Sequence, residues 1–111
     1  MDDTADLIID RLYLGGISAA KNEKELELKN ITRILSVMKK PLPGAVRNSR
    51  VCFNVDAIDS YKCDLLQWFP ECLTFIEQNR QDGHNVLVHW YIYIFMSVFI
   101  YFHEKSSLLN L

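Results

Sequence analysis

Residues 84–97 read HNVLVHWYIYIFMS, and both the fold and the function depend on how this stretch is interpreted. Its first half, Val86–His89, is a compact apolar run that follows a turn at Asp82-Gly83, which predicts a buried strand. The second half, Trp90–Met96, is aromatic and aliphatic and contains no cysteine, glycine or arginine. The predicted strand therefore ends on His89 and is followed by a segment of different character.

Earlier in the chain, short β-branched or alternating apolar runs predict further strands. They are Leu7–Ile9, Leu12–Leu14, Ile31–Met38 and Val51–Val55. The first two are expected to form a small strand pair, which Gly15-Gly16 ends. The third is β-branched and compact, and is expected to be a buried strand.

A short helical region is predicted between these strands, over Ala19–Asn30. It is rich in helix formers and carries Glu25 and Lys29 as an i, i+4 pair, while Ser18 is a suitable N-cap. Its apolar residues are few, so we expect a short exposed helix or two turns whose charges form a solvated face.

The clearest amphipathic helix is predicted over Asp64–Gln81, where apolar residues recur every three or four positions. Pro70 should either kink this helix or begin its second part, and Gly83 should end it. Residues 39–50, which contain two prolines and a glycine, are predicted to be a loop.

The alternation of strands and helices predicts an α/β fold, with a central, mostly parallel sheet flanked by helices. In such sheets the functional site lies beyond the carboxyl ends of the strands. The loop that contains Asp56 and Asp59 and the His89 end of the last strand would both reach that edge.

Composition narrows the possible functions. The 111 residues suit a single domain, and 12 basic against 14 acidic residues give a net charge of −2 without a basic run, which argues against nucleic-acid binding. His84 and His89 do not have the spacing of metal ligands, so neither a metal nor another cofactor is predicted.

The three cysteines, Cys52, Cys63 and Cys72, form no C-x-x-C pair, and the acidic first residues do not have the pattern of a secretory signal. We expect reduced thiols that pack as small buried apolar groups, in a cytoplasmic or nuclear protein.

The apolar run over residues 86–102 raises a membrane alternative, because it reaches the short limit of about 17 residues for a spanning helix. Against a tail anchor, Tyr91, Tyr93 and Tyr101 are spread through the run rather than placed at its ends, and His89 is poorly suited to hydrocarbon. A buried strand followed by a buried or poorly packed segment is favoured.

Short strings in a fixed order carry a resemblance to a known family. They are Leu12-Tyr13-Leu14-Gly15-Gly16, Ile31-Thr32-Arg33-Ile34-Leu35-Ser36-Val37, Asp59 followed by Asp64-Leu65-Leu66, Cys72-Leu73-Thr74-Phe75-Ile76, and Gly83 with Val86-Leu87-Val88-His89. Residues 7–89 thus resemble a dual-specificity protein phosphatase of the cysteine-dependent protein tyrosine phosphatase superfamily, atypical subgroup. The resemblance stops after His89, which implies an incomplete domain.

In that family a His-Cys pair ends the strand and opens the loop C-x-x-G-x-S-R. The resemblance implies that the cysteine thiolate attacks phosphorus, that backbone amides and the arginine hold the phosphate, and that an aspartate on a separate loop protonates the leaving group. Here His89 matches the histidine, Asp59 matches the general acid, and Trp90 occupies the nucleophile position. The other loop positions hold Tyr93 for glycine, Phe95 for serine and Met96 for arginine.

These substitutions predict a catalytically inactive family member, with residues 1–89 as the N-terminal part of a phosphatase domain and residues 90–111 as a divergent apolar tail. No phosphate-binding residue is left, and a phosphoprotein substrate is expected only for an intact relative. Asp59 is then open to a simpler role as the cap of the helix that follows.

Three accounts of the missing loop stay open. The first is an alternatively spliced or wrongly assembled product, because the tail resembles translated non-coding sequence. The second is a pseudophosphatase that acts as a non-catalytic binding module, and the third is the tail-anchored membrane protein. In every case we expect marginal stability or aggregation, because an apolar tail replaces the helices that cover the sheet in the family.

Overall fold

The computed structural model describes residues 3–38, 41–55 and 62–89, and for residues 62–69 it describes the backbone alone. Within these ranges the core is a five-stranded sheet with the order β1-β2-β5-β3-β4. The strands are β1 Asp6–Ile9, β2 Leu12–Gly15, β3 Ile31–Val37, β4 Val51–Val55 and β5 Asn85–His89. β1 pairs with β2 in antiparallel fashion and the other neighbours are parallel, which confirms the α/β prediction.

Four helices lie between the strands in the described part of the chain. They are α1 Ile17–Ala20, α2 Glu23–Leu28, α3 Gly44–Ser49 and α4 Lys62–Gln81. One core cluster packs residues of α4 against the sheet: Leu12, Leu35, Val37, Val55, Cys72, Ile76, Val86 and Val88. A second cluster joins the sheet to α1, α2 and α3: Ala5, Ala20, Leu26, Ile31, Ile34, Leu42, Val46 and Leu87.

The region predicted over Ala19–Asn30 as a short exposed helix or two turns contains two short helices, and the first of them, α1, begins before the region at Ile17. Ser18 lies inside α1 and is not a cap, because the chain enters α1 directly from β2 through Gly16. The side chain of Asn22 caps α2 instead, by accepting a hydrogen bond from the Glu25 backbone N–H at 3.3 Å.

The prediction that the charges of this region form a solvated face is wrong for Glu25, which is 7% exposed. Its Oε2 accepts a hydrogen bond from the backbone N–H of Ala5 at 2.6 Å and pairs with Lys29. Lys29 in turn donates to the Ala5 carbonyl at 2.6 Å. The N-terminal segment therefore lies along α2, an arrangement that local periodicity does not reveal.

The predicted loop over residues 39–50 contains helix α3, which is a second correction. The Pro43 carbonyl accepts hydrogen bonds from the N–H groups of Val46 and Arg47. Arg47 Nε donates to the Leu42 carbonyl at 2.7 Å, and Val46 is 1% exposed in the core. The proline and glycine content of this segment argues against a helix. The packing of Val46 in the core nevertheless stabilises the short helix α3.

The long helix and its end agree with the prediction. α4 contains Pro70 in its interior, and Thr74 Oγ1 donates to the Pro70 carbonyl at 2.9 Å. Gly83 follows the helix with φ of +86°, the left-handed conformation that glycine adopts without strain. Within the described ranges, no helix has the length and apolar character that crossing a membrane requires.

Candidate functional site at the carboxyl edge of the sheet

Three strands end side by side at the edge where the site was predicted. In the parallel ladders His89 of β5 lies beside Gly15 of β2 on one side and beside Ser36 of β3 on the other. Residues directly opposite in a parallel pair project from the same face of the sheet. His89 and Ser36 therefore point to the face that carries α1 and α2, in line with Leu87 and Ile34 of the second core cluster.

The imidazole of His89 is buried, with 7% of the residue exposed, and its Nε2 lies 3.3 Å from the Met38 sulfur. Burial, with a smaller contribution from the positive charge of Lys21, lowers the pKa of His89 to about 4. The side chain is consequently neutral at physiological pH, and it neither carries positive charge toward an anion nor acts as an acid there.

Two buried polar atoms at this edge have no hydrogen-bond partner among the described residues. They are Nδ1 of His89 and Oγ of Ser36, which is 1% exposed. Buried polar groups are normally hydrogen-bonded. Two such atoms without a partner on adjacent strands therefore mark a position where a further polar group or a water molecule is expected. The sequence interpretation did not single out Ser36, although a lone serine inside the apolar run Ile34–Val37 is a signal for a buried polar group at this edge.

Gly15 has a defined role at the same edge. A Cβ atom at this position would lie 2.8 Å from the Ala19 Cβ and 3.3 Å from Leu87 Cδ1, closer than side chains approach. Glycine therefore allows α1 to lie directly against the ends of β2 and β5. The sequence interpretation treated Gly15 only as the end of a strand, whereas it is the last residue of β2 and a packing contact.

The other residues that the sequence analysis considered are placed as follows. Asp59, Trp90 and the loop positions after it lie outside the described residues. His84 lies at the opposite end of β5 from His89, where Arg33 Nη2 is 3.0 Å from its Nε2. Because a guanidinium group can only donate, His84 accepts this hydrogen bond. The two histidines thus belong to separate networks.

Two of the three cysteines have described side chains. Cys72 is 1% exposed, and burial, with a smaller contribution from Glu71, raises its pKa to about 12. Burial also raises the pKa of the half-buried Cys52, although Arg50 and Arg47 act in the opposite direction. Since the thiolate is the nucleophilic form, a raised pKa disfavours reactivity at both thiols. Cys72 is buried as predicted, whereas Cys52 is only partly buried. The side chain of Cys63 lies outside the description.

The fold and the carboxyl edge of the sheet together define a class of protein. It is a small α/β domain with a mostly parallel sheet, and the central strand of the sheet ends in a buried histidine. Over most of its length the chain is 35% identical to dual specificity protein phosphatase 1 of Arabidopsis thaliana, with 82% of this chain and 46% of that protein covered. It is 33% identical to dual specificity protein phosphatase 22-B of Danio rerio, with 80% and 48% covered. No family model matches the chain.

A solved structure agrees with these relatives. The crystal structure of DUSP15 superposes with a TM-score of 0.70 at 28% identity, covering 79% of this chain and 55% of that one. The chain belongs to the dual-specificity protein phosphatase family. It spans about half the length of the relatives it matches.

Proposed function

We propose that this chain is a dual-specificity phosphatase family member that does not hydrolyse phosphate esters in this form. The observation that carries the proposal is the residue after β5. That strand ends at His89, where the family places its nucleophile next, and the sequence continues with Trp90. An indole has no nucleophilic atom suited to attack on phosphorus.

The remaining parts of the phosphate loop are absent as well. Tyr93 stands at the glycine position and lacks the backbone freedom with which the loop curls around the anion, and Met96 stands at the arginine position and cannot clamp phosphate oxygens. After Gly83 the sequence contains no cysteine, glycine or arginine, so a shifted alignment does not recover the loop.

The described residues offer no replacement for these groups, which supports the proposal. Cys72 is buried with a raised pKa, and Cys52 is half-buried with a raised pKa. His89 is neutral at physiological pH. Asp59 matches the general-acid position, but without a nucleophile there is no leaving group for it to protonate, and we assign it to the loop or to capping of α4.

An assay with a generic aryl phosphate tests this proposal, with an intact relative as the positive control. We expect no turnover above buffer for the full chain, and the same result for Trp90→Cys, because a cysteine without the glycine and arginine lacks a phosphate cradle. The proposal would be overturned by turnover of the unmodified chain that disappears on Asp59→Asn.

Binding without turnover is a separate question, since a pseudophosphatase would hold a phosphorylated ligand. Loss of the arginine and the glycine removes most of the anion contacts, so we expect no measurable affinity for a phosphotyrosine peptide compared with its unphosphorylated form. Saturable binding that depends on the phosphate would instead favour the non-catalytic binding module.

A further inference from the structure

β4 is an edge strand whose outer backbone groups have no partner among the described residues. The Val55 carbonyl accepts a hydrogen bond from the Met38 N–H at 3.1 Å, so the backbone of Val55 faces β3. Backbone N–H and C=O groups alternate sides along a strand. Val51, Phe53 and Val55 therefore bond inward, and Cys52 and Asn54 present their N–H and C=O groups to the open side.

The two edges of the sheet differ in how they are protected. At the other edge β1 begins with Asp6 and its register with β2 shifts between Leu7 and Ile9, an irregularity that disfavours further pairing. β4 has a regular register, no proline and no charged residue over Val51–Val55. Val51 is 51% exposed, so the open edge also carries apolar surface.

We propose that a second copy of this chain pairs with β4 in antiparallel fashion, about a two-fold axis at Phe53. In this register Cys52 lies opposite Asn54 of the second copy and exchanges two hydrogen bonds with it, and the symmetry repeats the exchange. These are the residues whose backbone groups point outward. Phe53 then lies opposite its own counterpart as a non-hydrogen-bonded pair, the geometry that brings side chains closest.

The side chains suit this self-pairing. Phe53 lies on the α4 side of the sheet, with its ring centroid 5.5 Å from that of Phe75, so two copies would bring two such pairs together at the axis. Val51 would face Val55 of the second copy. Arg50, just before the strand, already pairs with Glu23 of its own chain, so the backbone ladder, and not an ion pair between copies, holds the two strands together.

A two-fold pairing is closed, since each copy uses β4, which is the one open edge with a regular register among the described strands, and leaves no second edge of that kind there for a third copy. A single short ladder buries less surface than a stable interface requires, so the dimer should be weak and depend on concentration. The proposed dimer rests on β4 and not on the residues that follow His89. It is therefore independent of the proposal that the chain is catalytically inactive.

Sedimentation velocity of the full chain over a range of concentrations tests the proposal. We expect the mass to double as concentration rises. Asn54→Pro removes the backbone N–H that points away from β3 and leaves the backbone hydrogen bonds between β4 and β3 in place, a change that edge strands tolerate. Asn54→Lys adds a positive charge to the same edge. Both should shift the midpoint for dimerisation at least tenfold to higher concentration, whereas Gln78→Lys on the exposed side of α4 should not.

Amide hydrogen exchange resolved by residue gives an independent readout that does not require a variant. The N–H groups of Cys52 and Asn54 should exchange several-fold more slowly at high concentration than at low concentration, while those of Phe53 and Val55 stay protected at both. The proposal is overturned by equal exchange of Cys52 and Asn54 at both concentrations, by a dimer that Asn54→Pro leaves intact, or by open-ended growth without a dimer.

Discussion

At the scale of single residues, His89 combines a position at the end of a central strand with a buried and neutral side chain. In the family, this strand ends in a histidine that is followed by the nucleophilic cysteine. This chain has the histidine, His89, but the next residue is Trp90. The imidazole contacts the Met38 sulfur and leaves Nδ1 without a partner in the described part of the chain. His89 therefore contributes to stability in a manner that depends on pH.

The pKa of His89 is lowered from 6.5 to about 4 in the folded chain. Between these values the unfolded chain binds a proton that the folded chain does not, so the free energy of unfolding falls as the pH drops from about 6.5 to about 4 and levels off below. The loss should be of the order of 3 kcal/mol. Urea unfolding at several pH values should show this loss in the native chain and a smaller one in His89→Gln.

Gly15 is the second residue with a specific requirement, because α1 lies directly against it. Gly15→Ala places a Cβ within 2.8 Å of the Ala19 Cβ, and overpacking of this kind costs about 1–3 kcal/mol. The midpoint of urea unfolding should fall accordingly, and the added change Ala19→Gly should recover part of the loss.

Gly44→Ala is the matched control for that prediction. A Cβ at Gly44 would have its nearest neighbour at 3.9 Å, and the residue begins α3 with no special backbone requirement. The free energy of unfolding of the Gly44→Ala variant should stay unchanged or rise by up to about 1 kcal/mol, because alanine reduces the conformational freedom of the unfolded chain. Equal destabilisation by the two substitutions would show that α1 does not approach Gly15 closely.

At the scale of elements, α2 does more than cover the sheet, because its polar side chains hold the N-terminal segment. Asn22 donates to the Asp3 carbonyl at 3.2 Å, and Glu25 and Lys29 bind the N–H and the C=O of Ala5. Ala5 itself is 1% exposed and packs in the second core cluster. A helix of six residues is too short to be stable alone, so these tertiary contacts stabilise it.

Removing the buried carboxylate should therefore be costly. Glu25→Ala leaves the Ala5 N–H without its acceptor and Lys29 without its ion pair, and a buried group left unpaired costs about 1–3 kcal/mol. Urea unfolding measures the loss, and limited proteolysis should show earlier cleavage near the N-terminus. Glu27→Ala, on the exposed side of the same helix, should change stability by less than about 0.5 kcal/mol; a similar loss in both variants would contradict the assignment.

At the scale of the whole molecule, the sheet separates two core clusters that belong to different helices. α4 covers one face, while α1, α2 and α3 cover the other, and β1 and β4 are left as edges. Among the described residues, α1, α2 and α3 are short and β1 and β4 are the edge strands, so this part of the chain gives the sheet limited protection against opening.

We accordingly expect marginal stability. Thermal unfolding followed by circular dichroism should begin below the usual range of about 45–65 °C for small domains, or should end in aggregation. Light scattering on the same sample separates unfolding from aggregation. A sharp, reversible transition from a monomer at a temperature within or above that range would contradict this expectation.

The strands and α4 could be predicted from the sequence because their signals are local. The runs Ile31–Val37 and Val51–Val55 are β-branched and apolar, and the spacing of apolar residues in α4 is helical, so each segment indicates its own conformation. The division of the predicted region over Ala19–Asn30 into α1 and α2, and the whole of α3, escaped this reasoning. Ala20 of α1 and Val46 of α3 pack in the second core cluster with residues distant in the chain, and periodicity over a few residues does not contain such contacts.

The sequence by itself determined the family, the α/β class and the identity of the residue that follows His89, since each depends on the order and type of residues. Only the tertiary structure decided that Ser36, Gly15 and His89 lie side by side, because strand order and register are long-range properties. The same holds for the burial that makes His89 neutral and for the open side of β4. In the stretch at residues 84–97, the sequence alone shows that no cysteine, glycine or arginine follows His89, whereas the environment of His89 at the strand end is set by packing.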